Sequence, residues 1–357
     1  MLSLVKEIMN MKKLNVALAI FVAAVMAGNA QSNSTNNVYS DIVGYQTVTI
    51  AGGGTTSSPK YTMLAVNLAN PTVYQATMGN SLSGTFTAGA YNAAAYAKYY
   101  LEIVSTGARA DIVSNTASSL ALATADQASI SAALATPQSV RIRKHRTLSD
   151  LFGGASGTTS DSTVPFLKST AAASADNVLL MVDGAYKTLY YSSNGTRPGW
   201  RDGTTLATDF PIYPSDGIFI ARKATAPLSI TISGEVKNYT SLIPISAGVS
   251  TANPKYTLTT LPVPVAVTLP MLFGGDGTIN GGASLKLNRG TSAALSDNVL
   301  VWNGTTFLTY FYSSAGTKPG WRDSAGNVAS AVSIPSDAAF LIKRTSGAST
   351  ISYTANF

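Results

Sequence analysis

The chain of 357 residues has no cysteine, one histidine and few charged residues, and each shortage removes a class of protein. Without cysteine there are neither disulfides nor thiolate ligands for zinc. The single histidine, His145, lies within the cationic run 141–146, which does not favour a Ser-His-Asp hydrolase. Charged residues make up only 11% of the chain, against ~25% in ordinary domains. The net charge of +7 therefore reflects scarce acids rather than abundant bases.

The distribution of the few charges also bears on function. Apart from the run 141–146, basic residues are scattered, whereas nucleic-acid binding favours a basic stripe. Only two glutamates, Glu102 and Glu235, follow residue 30. The aspartates lie mostly beside Gly, Asn or Ser, where their side chains stabilise turns. We therefore expect neither an enzyme nor a nucleic-acid-binding protein, and no cofactor; a structural calcium ion at an Asp-containing loop is the one exception left open.

Residues 1–30 have the pattern of a secretory signal peptide. Lys12 and Lys13 precede an apolar segment over 14–26, and the small residues of 27–30 offer a cleavage site. No later apolar run reaches ~18 residues, so we predict no transmembrane segment in the mature chain. We expect an exported protein, extracellular or at the cell surface, with the periplasm as the alternative.

A long internal repeat dominates the remaining sequence. Residues 147–223 align with 268–344 without a gap, with 28 identities in 77 positions, and Phe219 aligns with Phe340. A Pro-Gly-Trp-Arg-Asp motif occurs in both copies and ends with Trp200, Arg201 and Asp202 in the first and with Trp321, Arg322 and Asp323 in the second. Because two copies imply one fold used twice, we predict a structural role for this signature, with the tryptophans sealing the cores.

The spacing of apolar residues predicts an all-β protein. Short runs rich in Val, Ile, Thr, Tyr and Phe alternate with Gly, Asn, Asp, Ser and Pro clusters, which is typical of antiparallel sheets. Pro-Lys-Tyr-Thr occurs at 59–62 and again at 254–257, so the first copy holds about 74 extra residues. We predict two homologous β-sandwich-like units in tandem, 31–230 and 231–357, the first with a small β subdomain inserted at about 72–145. Helix is expected only in short segments: Thr147–Gly153, Thr268–Gly274 and Asp126–Ala135.

The inserted segment carries two features that the second copy lacks, a group of tyrosines and the basic run. Together they form the candidate binding surface: Tyr91, Tyr96, Tyr99, Tyr100, Arg141, Arg143, Lys144, His145 and Arg146. Strand alternation places Arg141, Arg143 and His145 on one face. Such a face would meet an anionic polysaccharide or an acidic neighbouring subunit. The alternatives are tyrosines that pack inside the insertion and a solvated edge strand protected by its charges.

Several motifs together carry a family resemblance. They are Val43–Thr49, Tyr99–Ile103, Ile142–Gly153, Asp176–Leu179, Tyr190–Arg201 and Pro214–Arg222. In these motifs the chain resembles a family of secreted β-rich proteins found mainly in Verrucomicrobia and related bacteria, over nearly all of the sequence after residue 30. Arg146 departs from the family pattern, which has an aromatic residue there. The resemblance implies secretion but no activity.

From these observations we predict a non-enzymatic structural or cell-surface protein that associates with itself, such as a surface-layer or fibre subunit. Its terminal strands, expected over 38–50 and 349–357, would be free to pair with another molecule. The alternative is a carbohydrate-binding or adhesion module that acts through the 72–146 insertion, with a cell-surface polysaccharide as its partner.

Overall fold

A computed structural model of the chain describes residues 42–182 and 184–354. The signal peptide predicted over residues 1–30 lies outside the described residues. So do Asp183 and residues 355–357, the end of the strand expected over 349–357. Among the described residues no helix is both long enough and apolar enough to cross a membrane.

The all-β class is confirmed, since strands dominate and the helices are short. The chain begins with β1 (Val43–Ile50) and β2 (Lys60–Ala65). The inserted segment supplies β3 (Thr72–Met78), β4 (Tyr99–Ile103), β5 (Arg109–Asn115), β6 (Leu120–Leu122), α1 (Thr124–Ala133) and β7 (Gln138–Lys144).

The rest of the first copy and the second copy follow in the same order of elements. The first contains β8 (Arg146–Thr147), α2 (Leu148–Phe152), β9 (Asn177–Val182), β10 (Ala185–Ser192), β11 (Gly199–Asp202), β12 (Thr205–Leu206), β13 (Pro211–Ile212), β14 (Gly217–Arg222) and β15 (Leu228–Glu235). The second contains β16 (Thr240–Gly248), β17 (Lys255–Thr260), β18 (Val267–Thr268), α3 (Leu269–Phe273), β19 (Asn298–Trp302), β20 (Phe307–Ser313), β21 (Gly320–Asp323), β22 (Ser333–Ile334), β23 (Ala339–Arg344) and β24 (Gly347–Thr354).

Each copy packs a large antiparallel sheet against a two-stranded ribbon. The sheet of the first copy has the order β12-β11-β10-β9-β14-β2, and that of the second has the order β17-β23-β19-β20-β21. The ribbons are β1–β15 and β16–β24, while β8–β13 and β18–β22 form small pairs. Because β15 runs to Glu235 while paired with β1, the first copy closes five residues beyond the predicted boundary at 230.

The core of each copy lies between its sheet and its ribbon, and the repeated tryptophan lies inside it. Trp200 and Trp321 are buried, and their indole N–H groups donate to the carbonyls of Gly153 at 2.8 Å and Gly274 at 2.9 Å. Gly153 ends α2 with φ of 75°, and a β-carbon there would lie 2.3 Å from the Thr163 carbonyl oxygen. The shared motif thus ties a strand to the end of a helix in both copies.

The closing strand of each copy shows that the gapless alignment slips by one residue. Gly217 pairs with Ala65 in the first copy, whereas Ala339 pairs with Thr260 in the second, so β14 and β23 correspond at a separation of 122 rather than 121. Phe219 consequently faces out of its core while Phe340 faces in, since a shift of one residue exchanges the two faces of a strand. The alignment of these two phenylalanines is therefore wrong.

The correct partners in this strand are arginines. Arg222 lies 2.6 Å from Asp176, and Arg344 lies 2.7 Å from Asp297. All four side chains are at least nine-tenths buried, and each aspartate also accepts a backbone hydrogen bond from the residue after its arginine. These ion pairs join the start of β9 or β19 to the end of β14 or β23 in both copies.

The inserted segment forms a third sheet with a core of its own. Its strands have the order β3-β7-β4-β5-β6, and α1, predicted at Asp126–Ala135, covers Thr124–Ala133. Ile130 of this helix packs with residues such as Leu101 and Ile142. A further apolar layer, which includes Phe219, Met63 and Trp302, joins the outer faces of the two large sheets.

Candidate functional site

The candidate surface predicted in the insertion is largely internal. Tyr100, Arg143 and His145 expose 3%, 0% and 1% of their area. The prediction of an exposed face is therefore wrong for these three residues. The physical reason is that β7 lies between β3 and β4 in its sheet, and the chain that leaves β15 covers the face on which the arginines stand.

The remaining predicted residues are scattered over different surroundings. Tyr91 and Tyr99 pack edge to face at 5.2 Å against the insertion core, while Tyr96 packs in the same way against Phe210 of the first copy. Lys144 is exposed, whereas Arg146 donates to the carbonyl oxygens of Leu68, at 3.1 Å, and Ser233. The nine residues do not form one contiguous binding surface.

The arginines of β7 instead build a buried ionic cluster around Glu235. The Arg143 guanidinium binds both carboxylate oxygens of Glu235, with Nη1 at 2.7 Å from Oε2. Arg141 Nη1 donates to Glu235 Oε1 at 2.7 Å. Arg143 also donates to the carbonyl of Asn70 and, at 2.9 Å, to the hydroxyl of Tyr239. The fork of the guanidinium matches the carboxylate, and this geometry is favourable for a buried pair.

A second carboxylate, Glu102 on β4, completes the cluster from the other side. Its Oε2 accepts a hydrogen bond from the Tyr239 hydroxyl at 2.7 Å, and Oε1 accepts one from Lys237. Arg143 Nε lies 3.5 Å from the same Oε2. Both glutamates that follow residue 30 are thus used here, each against at least two cations.

The surroundings shift the pKa values of these groups. Burial alone would raise the pKa of Glu102, but the charges of Lys237 and Arg109, with hydrogen bonds from Lys237 and Tyr239, hold it below its ordinary value. Burial lowers the pKa of Lys237, and Glu102 offsets part of that effect. Burial and the neighbouring Glu102 raise the pKa of Tyr239 well above its usual range. Glu102 is accordingly a carboxylate and Tyr239 a hydrogen-bond donor at neutral pH.

A smaller polar group links the insertion to the first copy beside this cluster. Asp111 on β5 lies 2.8 Å from His145 Nε2 and accepts a hydrogen bond from Tyr213 at 2.7 Å. Burial would raise the pKa of Asp111, but the hydrogen bonds from His145 and Tyr213 lower it. The imidazole also packs between the rings of Tyr100 and Tyr213. With its ring enclosed in this way, His145 serves as a structural link.

Arg109 extends the junction to the second copy. Its Nη2 donates to Ser215 Oγ at 3.0 Å and to the carbonyl of Leu242, on β16, at 3.1 Å. Beside it lies a cavity of about 10 Å³, room for one water molecule, lined in part by Asn67 and Ser241. Residues 235–242 lead from the first copy into the second. Side chains of the insertion therefore form hydrogen bonds with this segment at four positions, from Glu235 to Leu242.

The arrangement explains what sequence reasoning missed. Lys237 and Tyr239 carry no repeat signature, and their contacts to the insertion span more than 90 residues of sequence. The available signal was that only two glutamates follow residue 30. A buried cation needs an acidic partner, and in a chain with so few acids each glutamate is a candidate for that partner. The cluster consists of charged side chains that pair with each other. This arrangement indicates a structural role, which is to hold the insertion against residues 235–242.

The repeated signature residues outside the core support turns. Arg201 and Arg322 donate to the carbonyls of Pro198 at 3.1 Å and Pro319 at 3.0 Å. Asp323 accepts hydrogen bonds from the backbone N–H groups of Ala325 and Asn327, whereas Asp202 pairs with Lys187 at 2.5 Å.

Within the described parts of the chain, no three or more His, Asp or Glu side chains converge as a metal site. The calcium site at an Asp-containing loop stays a prediction. Comparisons of the chain with models of protein families, with curated proteins and with solved structures found no match.

Proposed function

We propose that this is a non-enzymatic, exported structural protein that polymerises at the cell surface by strand addition. The observation that carries the proposal is the outer edge of β1, with which no other described strand pairs. This eight-residue strand pairs only with β15 among the described strands and contains neither a charged residue nor proline. Val43 and Tyr45 on it are 74% and 82% exposed.

Monomeric proteins usually protect such an edge with lysine, proline or a bulge, because its free N–H and C=O groups pair readily with another chain. The outward face of the ribbon adds hydroxyl groups, with Thr47 and Thr231 in contact at 3.0 Å. With Val43 and Tyr45, these hydroxyls leave the exposed face of β1 without a charge. The described edge therefore favours association by backbone hydrogen bonds.

A second such edge lies in the second copy. Strand β24 is eight residues long, pairs only with β16 among the described strands, and also lacks charge and proline. Joining β1 of one molecule to β24 of the next is a head-to-tail contact, which generates an open filament when the rotation does not close. The buried junction around Glu235 would hold the two edges in a fixed relation, as a fibre or layer subunit requires.

The test is the mass of the purified protein as a function of concentration, by light scattering, with filaments sought by negative-stain microscopy. We expect open-ended species that disappear with Tyr45→Lys, because a lysine on an edge strand opposes its pairing with another chain. Val328→Lys is the matched control, since Val328 is 70% exposed but lies away from both ribbons, and it leaves assembly unchanged. A monomer at all concentrations, or assembly unaffected by Tyr45→Lys, would refute the proposal.

A further inference from the structure

Three Asn-Gly pairs occur in the sequence, at 194–195, 280–281 and 303–304. In such a pair the backbone nitrogen of the glycine can attack the side-chain carbonyl of the asparagine, because glycine has no β-carbon to hinder the approach. The third pair lies in the turn between β19 and β20, and both of its residues are exposed. A β-carbon on Gly304 would meet no other atom within 4 Å, so the space around this glycine is open.

We propose that Asn303 deamidates spontaneously, which makes this turn a site of covalent modification. The nitrogen of Gly304 forms a bond to Cγ of Asn303, the bond from Cγ to Nδ2 breaks, and ammonia leaves with the proton that the nitrogen of Gly304 loses. The product is a cyclic succinimide. Water then opens the ring at either carbonyl and gives aspartate or isoaspartate. The net reaction consumes one water molecule and releases one ammonia, so it needs neither an oxidant nor a reductant.

The peptide group between Asn303 and Gly304 is free to turn towards the side chain. Neither its C=O nor its N–H forms a hydrogen bond with another described residue. Asn194 differs, since its carbonyl accepts a hydrogen bond from the Arg197 N–H at 2.9 Å. Because ring closure rotates this peptide group, a hydrogen bond on it has to break first.

The remaining pair is held more firmly than the other two. The carbonyl of Asn280 accepts a hydrogen bond from Arg289 Nη1 at 2.9 Å, and the N–H of Gly281 donates to the carbonyl of Thr278 at 3.1 Å. Gly281 is also buried. The three pairs thus form a series in which described residues place none, one and two hydrogen bonds on the reacting peptide group.

The side-chain carbonyl of Asn303 is also polarised for attack. Its Oδ1 accepts hydrogen bonds from the N–H of Thr305 at 3.0 Å, from Oγ1 of Thr305 at 3.0 Å and from the N–H of Thr306 at 2.8 Å. These donors draw electron density from Cγ. They also stabilise the negative charge that develops on Oδ1 when the nitrogen adds, as the donors of an oxyanion hole do.

The reaction would alter the layer between the two large sheets. Trp302 and Phe307 flank the turn and pack together at 5.0 Å, and Trp302 packs at 5.9 Å against Phe219 of the first copy. Isoaspartate carries the main chain through its side chain, so the turn gains a methylene group. We expect this change to loosen the packing of Trp302, whereas aspartate keeps the ordinary main chain.

The experiment keeps the purified protein at physiological temperature and mildly alkaline pH, which favours loss of the proton from the backbone nitrogen. Mass spectrometry of proteolytic peptides then gives the deamidation rates of all three pairs in one sample. Each hydrogen bond that must break should slow ring closure about fivefold, so Asn303 should react about fivefold faster than Asn194 and about 25-fold faster than Asn280. Asn303→Gln is the matched control, because its longer side chain keeps the amide but closes a larger and less favourable ring.

The other outcomes overturn the proposal. A faster reaction at Asn194 or Asn280, equal rates at all three, or no product at Asn303 after weeks would refute the assignment of the site. Thr305→Val removes one of the donors to Oδ1 and should slow the reaction severalfold; an unchanged rate would refute the role of these donors. Protein that has accumulated isoaspartate should melt at a lower temperature than fresh protein, and Asn303→Asp should not. Equal melting of aged and fresh protein would refute the effect on the layer.

Discussion

Replacing Glu235 by glutamine should strongly destabilise the protein, because this carboxylate contacts both arginines of β7. Glu235 accepts three hydrogen bonds from Arg141 and Arg143. A glutamine keeps one acceptor oxygen and turns an N–H₂ group towards a guanidinium. Among the described residues Arg143 would then keep Glu102 as its carboxylate neighbour, at 3.5 Å.

Breaking a buried ion pair by removing one partner costs about 3–5 kcal/mol, mainly because the other charge stays buried without compensation. Arg143 is completely buried, so the whole of that range applies. For a protein of this size about 2 °C of melting temperature corresponds to 1 kcal/mol, and Glu235→Gln should lower the melting temperature by roughly 6–10 °C. The free energy of unfolding is measured by guanidinium titration at a concentration low enough to keep the protein monomeric.

Two further variants make this measurement specific. Lys187→Met breaks an ion pair whose members are each 32% exposed, so it should change the free energy of unfolding by less than about 1 kcal/mol. Arg143→Met combined with Glu235→Gln should cost less than the sum of the single changes by at least about 1 kcal/mol. A loss below about 1 kcal/mol for Glu235→Gln, or strict additivity with Arg143→Met, would refute the account of the junction.

Two other predictions concern local features. Thr147 caps α2, with its side chain accepting from the Asp150 N–H, whereas Thr268 makes no such bond at α3. Thr147→Ala should therefore cost about 1 kcal/mol of unfolding free energy and Thr268→Ala close to none; equal losses would contradict the capping argument. Burial raises the pKa of Asp216 to about 7, against the lowering effects of the Tyr213 N–H and Arg109. The folded state thus favours the protonated acid, and this contribution to stability, full at low pH, is lost as the pH rises through 7. Asp216→Asn should remove that part of the pH dependence in denaturant titrations between pH 4 and 8; an unchanged slope would contradict it.

The repeat made the architecture of the two copies predictable, but not the register of their last strands. Asp176 and Asp297 align at the predicted separation and begin equivalent strands. One additional residue before β23 then moves Arg344, not Lys343, into the position of Arg222. Two phenylalanines that coincide by chance concealed this shift. Side chains alternate between the two faces of a strand, so an alignment error of one residue assigns every side chain of that strand to the wrong face.

The candidate site was predictable only in part for a similar reason. Alternation correctly placed Arg141 and Arg143 on one face of a strand, since both reach Glu235. It could not indicate that this face is covered, because the covering residues lie more than 90 positions away in sequence.

The pairing of β1 with β15 has a consequence for how the chain reaches this structure. Val43 faces Glu235 across the ribbon, so β1 has no partner until the residues up to Glu235 are available. Closing so long a loop is slow, because contacts distant in sequence form late. In the same way, β16 cannot pair until β24, the last described strand, has been synthesised. During synthesis the uncharged β1 would therefore stay open to incorrect partners, and a holding chaperone is most useful in that interval.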